Sequence, residues 1–282
     1  AMRTLRLIPI AMAAVAAAQE VPPAVPPEPK LTGEADVGYR WVSDVGGNRN
    51  VYRSIVNLGD GPKLLRGNAD YRNPGGKCID RFGLLMNSWG GDPYNTGRLE
   101  AGLAGVYELR LDYRNVAYFN SLPSYANPLL AEGFVFSQRA MDLRRRQFDA
   151  ELKIKPGARV SPFLAFSHGS GYGSGITTFV ADGNEFPLGT DLRDRTQTFR
   201  GGVHVNLSKL NVTLEQGGTT FRDDQEIAFA RGNNFGNRRA TLFGRPVRLD
   251  QIQEAWSARG DGIFNRAVIH ASPFSKLSFT GQ

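Results

Sequence analysis

The chain has 282 residues, of which 41% are hydrophobic, 10% aromatic and 22% charged, with 33 glycines, one cysteine and a formal net charge of +7. No apolar run reaches the roughly 18 residues that a membrane-spanning helix needs, which excludes helical spans, and a mean hydropathy of −0.33 with abundant glycine and aromatics favours strands and turns. A single cysteine, Cys78, excludes an internal disulfide and a Cys-x-x-Cys-His haem attachment site.

The first residues read AMRTLRLIPIAMAAVAAAQE. Two arginines, an apolar run from Leu7 and the small residues Ala16-Ala17-Ala18 fit the three regions of a secretory signal peptide over 1–18, cleaved near Ala18. The following residues 19–30, with VPPAVPPEPK at 21–30, cannot continue a helix and read as a Pro-rich periplasmic leader. Loss of Arg3 and Arg6 with the signal lowers the basic excess by two. The remaining positives are scattered, as at Arg144-Arg145-Arg146 and Arg238-Arg239, and read as solvated loop ends. They lack the interleaved aromatics of a nucleic-acid module, so no nucleic-acid partner is expected.

From residue 31 to 282 the sequence repeats one pattern, apolar residues on one parity and polar or charged residues on the other. It starts in EADVGYRWV (34–42), where Ala35, Val37, Tyr39 and Trp41 alternate with Glu34, Asp36 and Arg40. KLLRGNADYR (63–72) and IDRFGLLMNSW (79–89) follow. RLEAGLAGVYELRLDYR (98–114) keeps one parity throughout, either as one long strand or as two strands joined at Ala104-Gly105-Val106, which would pair Leu103 with Tyr107. In FDAELKIKPGARVSPFLAFSH (148–168), Phe148, Ala150, Leu152 and Ile154 alternate with Asp149, Glu151, Lys153 and Lys155, and the apolar parity resumes at Val160, Pro162, Leu164 and Phe166. QTFRGGVHVNL (197–207), LNVTLEQ (210–216), a segment around 255–271 and the terminal KLSFTGQ complete eleven expected strands, with no convincing amphipathic helix.

The connectors alternate in length. Short turns (73–78, 104–106, 156–159, 208–209, 272–275) are interleaved with longer loops (44–62, 90–97, 115–144, 169–196, 217–254). An up-and-down antiparallel sheet built this way carries its short turns at one end and its long loops at the other, the pattern of an outer-membrane transmembrane β-barrel. The expected fold is therefore all-β, with residues 31–282 forming barrel strands. The last segment is an odd strand without a terminal aromatic, so the barrel is expected to continue past Gln282.

In that arrangement the apolar parity faces lipid, with girdle aromatics at Trp41, Tyr71, Trp89, Tyr107, Tyr113, Phe148, Phe166 and Phe199. The other parity lines a wet interior: Arg40, Arg66, Arg72, Arg110, Arg114, Lys153, Lys155 and Arg200 against Glu34, Asp36, Asp70, Glu108, Asp112, Asp149, Glu151 and Glu215, with His204 among them. A balanced wall suits cross-strand charge ladders or an enclosed polar partner rather than a strongly ion-selective pore. The same alternation also fits a soluble β-sandwich that buries the apolar face.

Chemical motifs are sparse. His168, His204 and His270 lie far apart without metal-ligand or triad spacing. HGSGYGSG (168–175) lacks the G-x-G-x-x-G spacing and reads as a mobile outer loop, and GDGPK (59–63) is too short for a phosphate loop. ADGNE (181–185) and RDDQE (222–226) are acidic but lack the twelve-residue calcium pattern. No catalytic residues, metal ligands or cofactor are expected, and no enzymatic activity.

The stretches GGDPYNTGRL (90–99), GNEFPLG (183–189) and LEQGGTTFRDDQ (214–225) resemble large bacterial outer-membrane barrels of the MtrB/PioB kind. The resemblance covers an N-terminal portion of such a barrel. It implies a porin-like sheath around a periplasmic multihaem cytochrome, through which electrons cross the outer membrane. The Cys-x-x-Cys that some members carry near the start is absent here. The alternatives are a general diffusion porin for small polar solutes and a secreted β-sandwich that binds a ligand through its loops.

Overall fold

The computed structural model describes residues 30–47, 49–55, 58–121, 140–181, 183–234, 241–274 and 277–282. The expected signal peptide and all but Lys30 of the Pro-rich leader lie outside them. In chain order the elements are β1 (Lys30–Arg40), α1 (Arg49–Ile55), β2 (Gly61–Arg72), β3 (Arg81–Trp89), β4 (Tyr94–Leu103), β5 (Tyr107–Ser121) and β6 (Ala140–Ile154). They continue with β7 (Val160–Ala181), β8 (Asn184–Leu207), β9 (Leu210–Asn234), β10 (Thr241–Leu242), β11 (Arg245–Pro246), β12 (Leu249–Phe274) and β13 (Leu277–Gly281).

Eleven strands form one antiparallel sheet in strict sequence order, β1 to β9, then β12 and β13; β10 and β11 form a separate two-stranded hairpin. All eleven expected strands are present, and the up-and-down order follows from the tight turns. Gly105, at φ 71°, supplies the left-handed residue of the 104–106 turn, and Leu103 pairs with Tyr107, so 98–114 is a hairpin and not one long strand. Gly157, at φ 82°, does the same between β6 and β7. Among the described residues β1 and β13 are not paired with each other, and the sheet is open.

Three expectations need correction. The first concerns strand length: β7, β8, β9 and β12 run for 22, 24, 25 and 26 residues, so most of the expected long loops 169–196 and 217–254 is paired strand. HGSGYGSG lies within β7, RDDQE within β9, and Arg144-Arg145-Arg146 within β6. Glycine and charge misled the reading because the ladder hydrogen bonds need only backbone, and both neighbours supply it over the whole length. Similarly, the expected loop 90–97 is a short turn before β4.

The second is the helix α1 between β1 and β2, which the sequence pattern did not reveal. Seven residues are too few to show a helical period, and such a short helix draws its stability from packing. Here α1 leans on the end of β5, with the Arg53 guanidinium 3.9 Å over the Phe119 ring. The third is Lys155, which lies in the β6–β7 turn and not in a strand.

Candidate functional site: the charged face

Because side chains alternate along a strand, register alone decides which residues share a face. Following it from strand to strand, Asp36 pairs with Arg66, Arg66 with Asn87, Asn87 with Thr96 and Thr96 with Arg114. The chain of partners continues through Glu108↔Lys153, Arg110↔Glu151 and Asp112↔Asp149 into β6. Ala165↔Arg200, Ser161↔His204 and Gly202↔Glu215 carry the same face across β7, β8 and β9. Sixteen of the expected wall residues, Glu34, Asp36, Arg40, Arg66, Asp70, Arg72, Glu108, Arg110, Asp112, Arg114, Asp149, Glu151, Lys153, Arg200, His204 and Glu215, thus lie on one face.

Lys155 does not join them. It occupies the β6–β7 turn at φ 48° and is exposed. Its N–H donates to the Val106 carbonyl at 2.8 Å, and its own carbonyl accepts from Ser161 Oγ at 2.8 Å. The alternation fails there because the turn backbone leaves the pleat.

The charges on this face pair laterally. Asp112 takes Arg98 Nε and Arg110 Nε at 2.7 Å each. Arg81 meets Glu108 at 3.5 Å, Lys153 meets Glu151 at 2.9 Å, and Arg200 meets Glu215 at 3.8 Å. Of these, Arg98–Asp112, Arg81–Glu108 and Arg200–Glu215 join different strands, whereas Arg110–Asp112 and Glu151–Lys153 lie along one strand; a directly opposed cross-strand pair contributes roughly 0.2–1 kcal/mol. Arg81, Arg98 and Glu100 belong to the same face and were passed over by the sequence reading; the parity of Leu99 and Ala101 already placed Arg98 and Glu100. Near the opposite end Asp92 accepts from Arg40 at 2.5 Å and lies 3.4 Å from Lys63. Lys63 Nζ also donates to the Gly90 carbonyl. Asp92 lies in a turn, which periodicity cannot place.

Not every residue on this face is polar. Phe163 lies flat over Gly202, whose Cβ would come within 2.6 Å of the ring, and stacks on His204 at 4.7 Å. His204 Nδ1 is 2.9 Å from Thr213 Oγ1. Phe264 covers Gly217 in the same way. His168 points to the other face and stacks on Phe166, while His270 Nδ1 is 2.9 Å from Thr280 Oγ1. Among the described residues no three His, Cys, Asp or Glu side chains converge as a metal site would require.

The two faces differ in exposure where the sheet is widest. On the charged face Phe163 is 5% exposed and Ala165 7%, whereas Leu164 between them, on the apolar face, is 59% exposed. Phe199 and Ile263 on the apolar face are 58% and 82% exposed. At the edge, β1 exposes both faces.

The pattern changes along the strands. On β8 the apolar-face residues run Leu207, Val205, Val203, Gly201 and Phe199, then become Gln197, Arg195, Arg193 and Asp191. The opposite face runs the other way: His204, Arg200, Thr198 and Thr196 give way to Leu188 and Phe186, which are 1% and 3% exposed. The switch falls at the same height in neighbouring strands, since Phe199 pairs with Phe166 and Gly218, and Arg195 with Ser170 and Arg222. From Leu207 to Phe199 the apolar face rises roughly 27 Å at about 3.4 Å per residue.

No known protein family, curated protein or solved structure matches the chain.

Proposed function

We propose that the chain is a bacterial outer-membrane β-barrel without enzymatic activity, a porin-like channel or sheath for a periplasmic multihaem cytochrome in electron transfer across the outer membrane. The observation that carries this reading is the inversion of polarity along β8 and β9. A strand entirely in water keeps one face apolar from end to end. A strand that leaves lipid for water exchanges its faces, because lipid demands apolar side chains where water demands polar ones. The apolar stretch of roughly 27 Å, tilted by the ~40° usual in barrels, gives a band about 21 Å tall, close to the ~25 Å that such proteins present to lipid.

In this reading lipid cannot satisfy open backbone, so β1 and β13 are the edges at which the barrel closes, directly or through further strands. The short turns lie on the periplasmic side and the long strand extensions outside. The charged face becomes the interior wall. Its arginines and carboxylates largely satisfy one another, which suits a passive channel or an enclosed polar partner over an ion-selective filter. A secreted sandwich fits less well: among the described residues no second large sheet covers the apolar face.

The test is membrane fractionation of the full chain with haem staining of what co-purifies in detergent, followed by single-channel conductance. Outer-membrane protein with a bound multihaem cytochrome supports the sheath, and haem-free protein with open-pore conductance supports the porin. Recovery in the soluble periplasm without detergent would sink both.

A further inference from the structure

Directly beyond the apolar band, register sets a row of cations across the apolar face. Asn115 pairs with Arg146, Arg146 with Ser170, Ser170 with Arg195, Arg195 with Arg222 and Arg222 with Arg259. The next rung, about 7 Å further out, reads Ala117, Arg144, Tyr172, Arg193, Asp224, Ser257. All six arginines of these rungs are exposed. Three of them, Arg195, Arg222 and Arg259, stand directly opposite one another in adjacent strands, an arrangement that like charges disfavour. Of the six, only Arg222 has a carboxylate within salt-bridge distance among the described residues, Asp224 at 2.6 Å. Arg144 and Arg146 instead donate to the Tyr172 hydroxyl at 3.3 and 3.1 Å, which gathers their guanidinium groups above β7. Carboxylates flank the belt: Asp261 stands on the rung before it, Asp224 in its second rung, and Asp191 and Glu226 on the rung beyond.

Below this belt the apolar face is notched. Gly201 and Gly218 contribute no side chain, and Leu152, Leu164, Phe199 and Ile263 stand around them, leaving a groove of about 860 Å³. Gly201 lies six residues from Arg195 on the same strand, roughly 20 Å along it. That distance is within reach of the acyl chain of a lipid whose headgroup sits on the arginines, and the groove, which crosses the strands from Leu152 to Ile263, would take the chain's far end.

We propose that the Arg146/Arg195/Arg222/Arg259 belt and the Gly201/Gly218 groove form one site for a membrane lipid with a phosphorylated headgroup. Guanidinium groups match phosphate oxygens in pairs, and a multiply phosphorylated headgroup relieves the repulsion of the facing arginines. The groove selects a lipid over free phosphate. The proposal rests on the membrane-spanning reading above, and its test separates the two.

The full chain is purified in a maltoside detergent and its retention of lipid A, which carries two phosphates, is compared with that of the monophosphorylated form and of phosphatidylcholine. Wild type is expected to retain lipid A roughly tenfold or more better than R195Q/R259Q, with the monophosphorylated lipid between, and retention should fall as salt rises. G201L, which fills the groove, should weaken lipid A retention without changing the binding of inorganic phosphate. The electrophoretic shift on heating, which reports the folded membrane barrel, should be the same in all three proteins. Equal lipid A retention by wild type and R195Q/R259Q, both heat-modifiable, would overturn the site and leave the barrel standing. Full competition by inorganic phosphate would reduce it to an anion site and overturn the lipid. A wild-type chain that neither enters membranes nor shows the heat shift would overturn both readings.

Discussion

The two halves of β8 are built on opposite rules. From Phe199 to Leu207 the apolar residues stand on the exposed face and Arg200 and His204 on the other; from Asn184 to Gln197 the exposed face carries Asp191, Arg193 and Arg195, and Phe186 and Leu188 are buried. One continuous hydrogen-bonded strand spans both. The backbone is indifferent to what its side chains meet, and on the membrane-spanning reading proposed above the first half would face lipid and the second water.

Substitutions of the same type in the two halves should therefore behave differently. Leu152→Arg, on the exposed apolar face of the band, should cost about 2–4 kcal/mol and abolish the heat-modifiable species on a gel. Glu151→Gln beside it should leave that species intact. Equal behaviour of the two would mean that the faces are exchanged. Leu188→Ala, in the other half, removes a buried side chain and should cost about 2 kcal/mol, at the low end for a core leucine because it lies near a hairpin tip. Limited proteolysis should then cut the β7–β8 extension while the band stays protected; loss of the whole sheet would show that the two halves fold as one.

A smaller effect is expected at the strand contact itself. Gly202→Ala puts a Cβ 2.3 Å from the Leu214 carbonyl and against the Phe163 ring, and overpacking of this kind costs roughly 1–3 kcal/mol. Phe163→Leu should recover part of it in urea unfolding, because the ring is the softer of the two neighbours.

The smallest effect concerns pH and is confined to the water-facing half. The Ser257 hydroxyl donates to Asp224 at 2.8 Å, and Arg222 adds a second hydrogen bond at 2.6 Å; together they hold the Asp224 carboxyl below its ordinary value. A carboxylate whose pKa is lower in the folded state contributes stability above the unfolded value, about 3.9, and loses it as pH falls through the folded one. Protease resistance of the extension should drop slightly on acidification through that range, and Asp224→Asn should remove the dependence.

How far the sequence could be read follows from what each signal depends on. Alternation is local, so the eleven strands, their order and the common face of sixteen of the seventeen expected wall residues could be found from it. Lys155 was misplaced because a turn interrupts the pleat. Asp92 was missed because it belongs to a turn, and α1 because seven residues show no period. The length of β7, β8, β9 and β12 was hidden for a different reason: in their outer parts the pattern of Gly, Ser, Arg and Asp resembles loop composition, although the ladder continues beneath it.

The amino-acid order alone settles which residues of a strand share a face, since the pleat has a period of two whatever surrounds it. It also sets the up-and-down path, through turns too short for any other connection. Register between strands is another matter. That Arg195, Arg222 and Arg259 stand side by side, that the polarity changes at one height in β8 and β9, and that Phe163 lies on Gly202 depend on the pairing of residues 27 to 39 positions apart: Arg195 with Arg222, Arg222 with Arg259 and Phe163 with Gly202. No local pattern encodes such pairings, because they are fixed by the summed fit of whole strands.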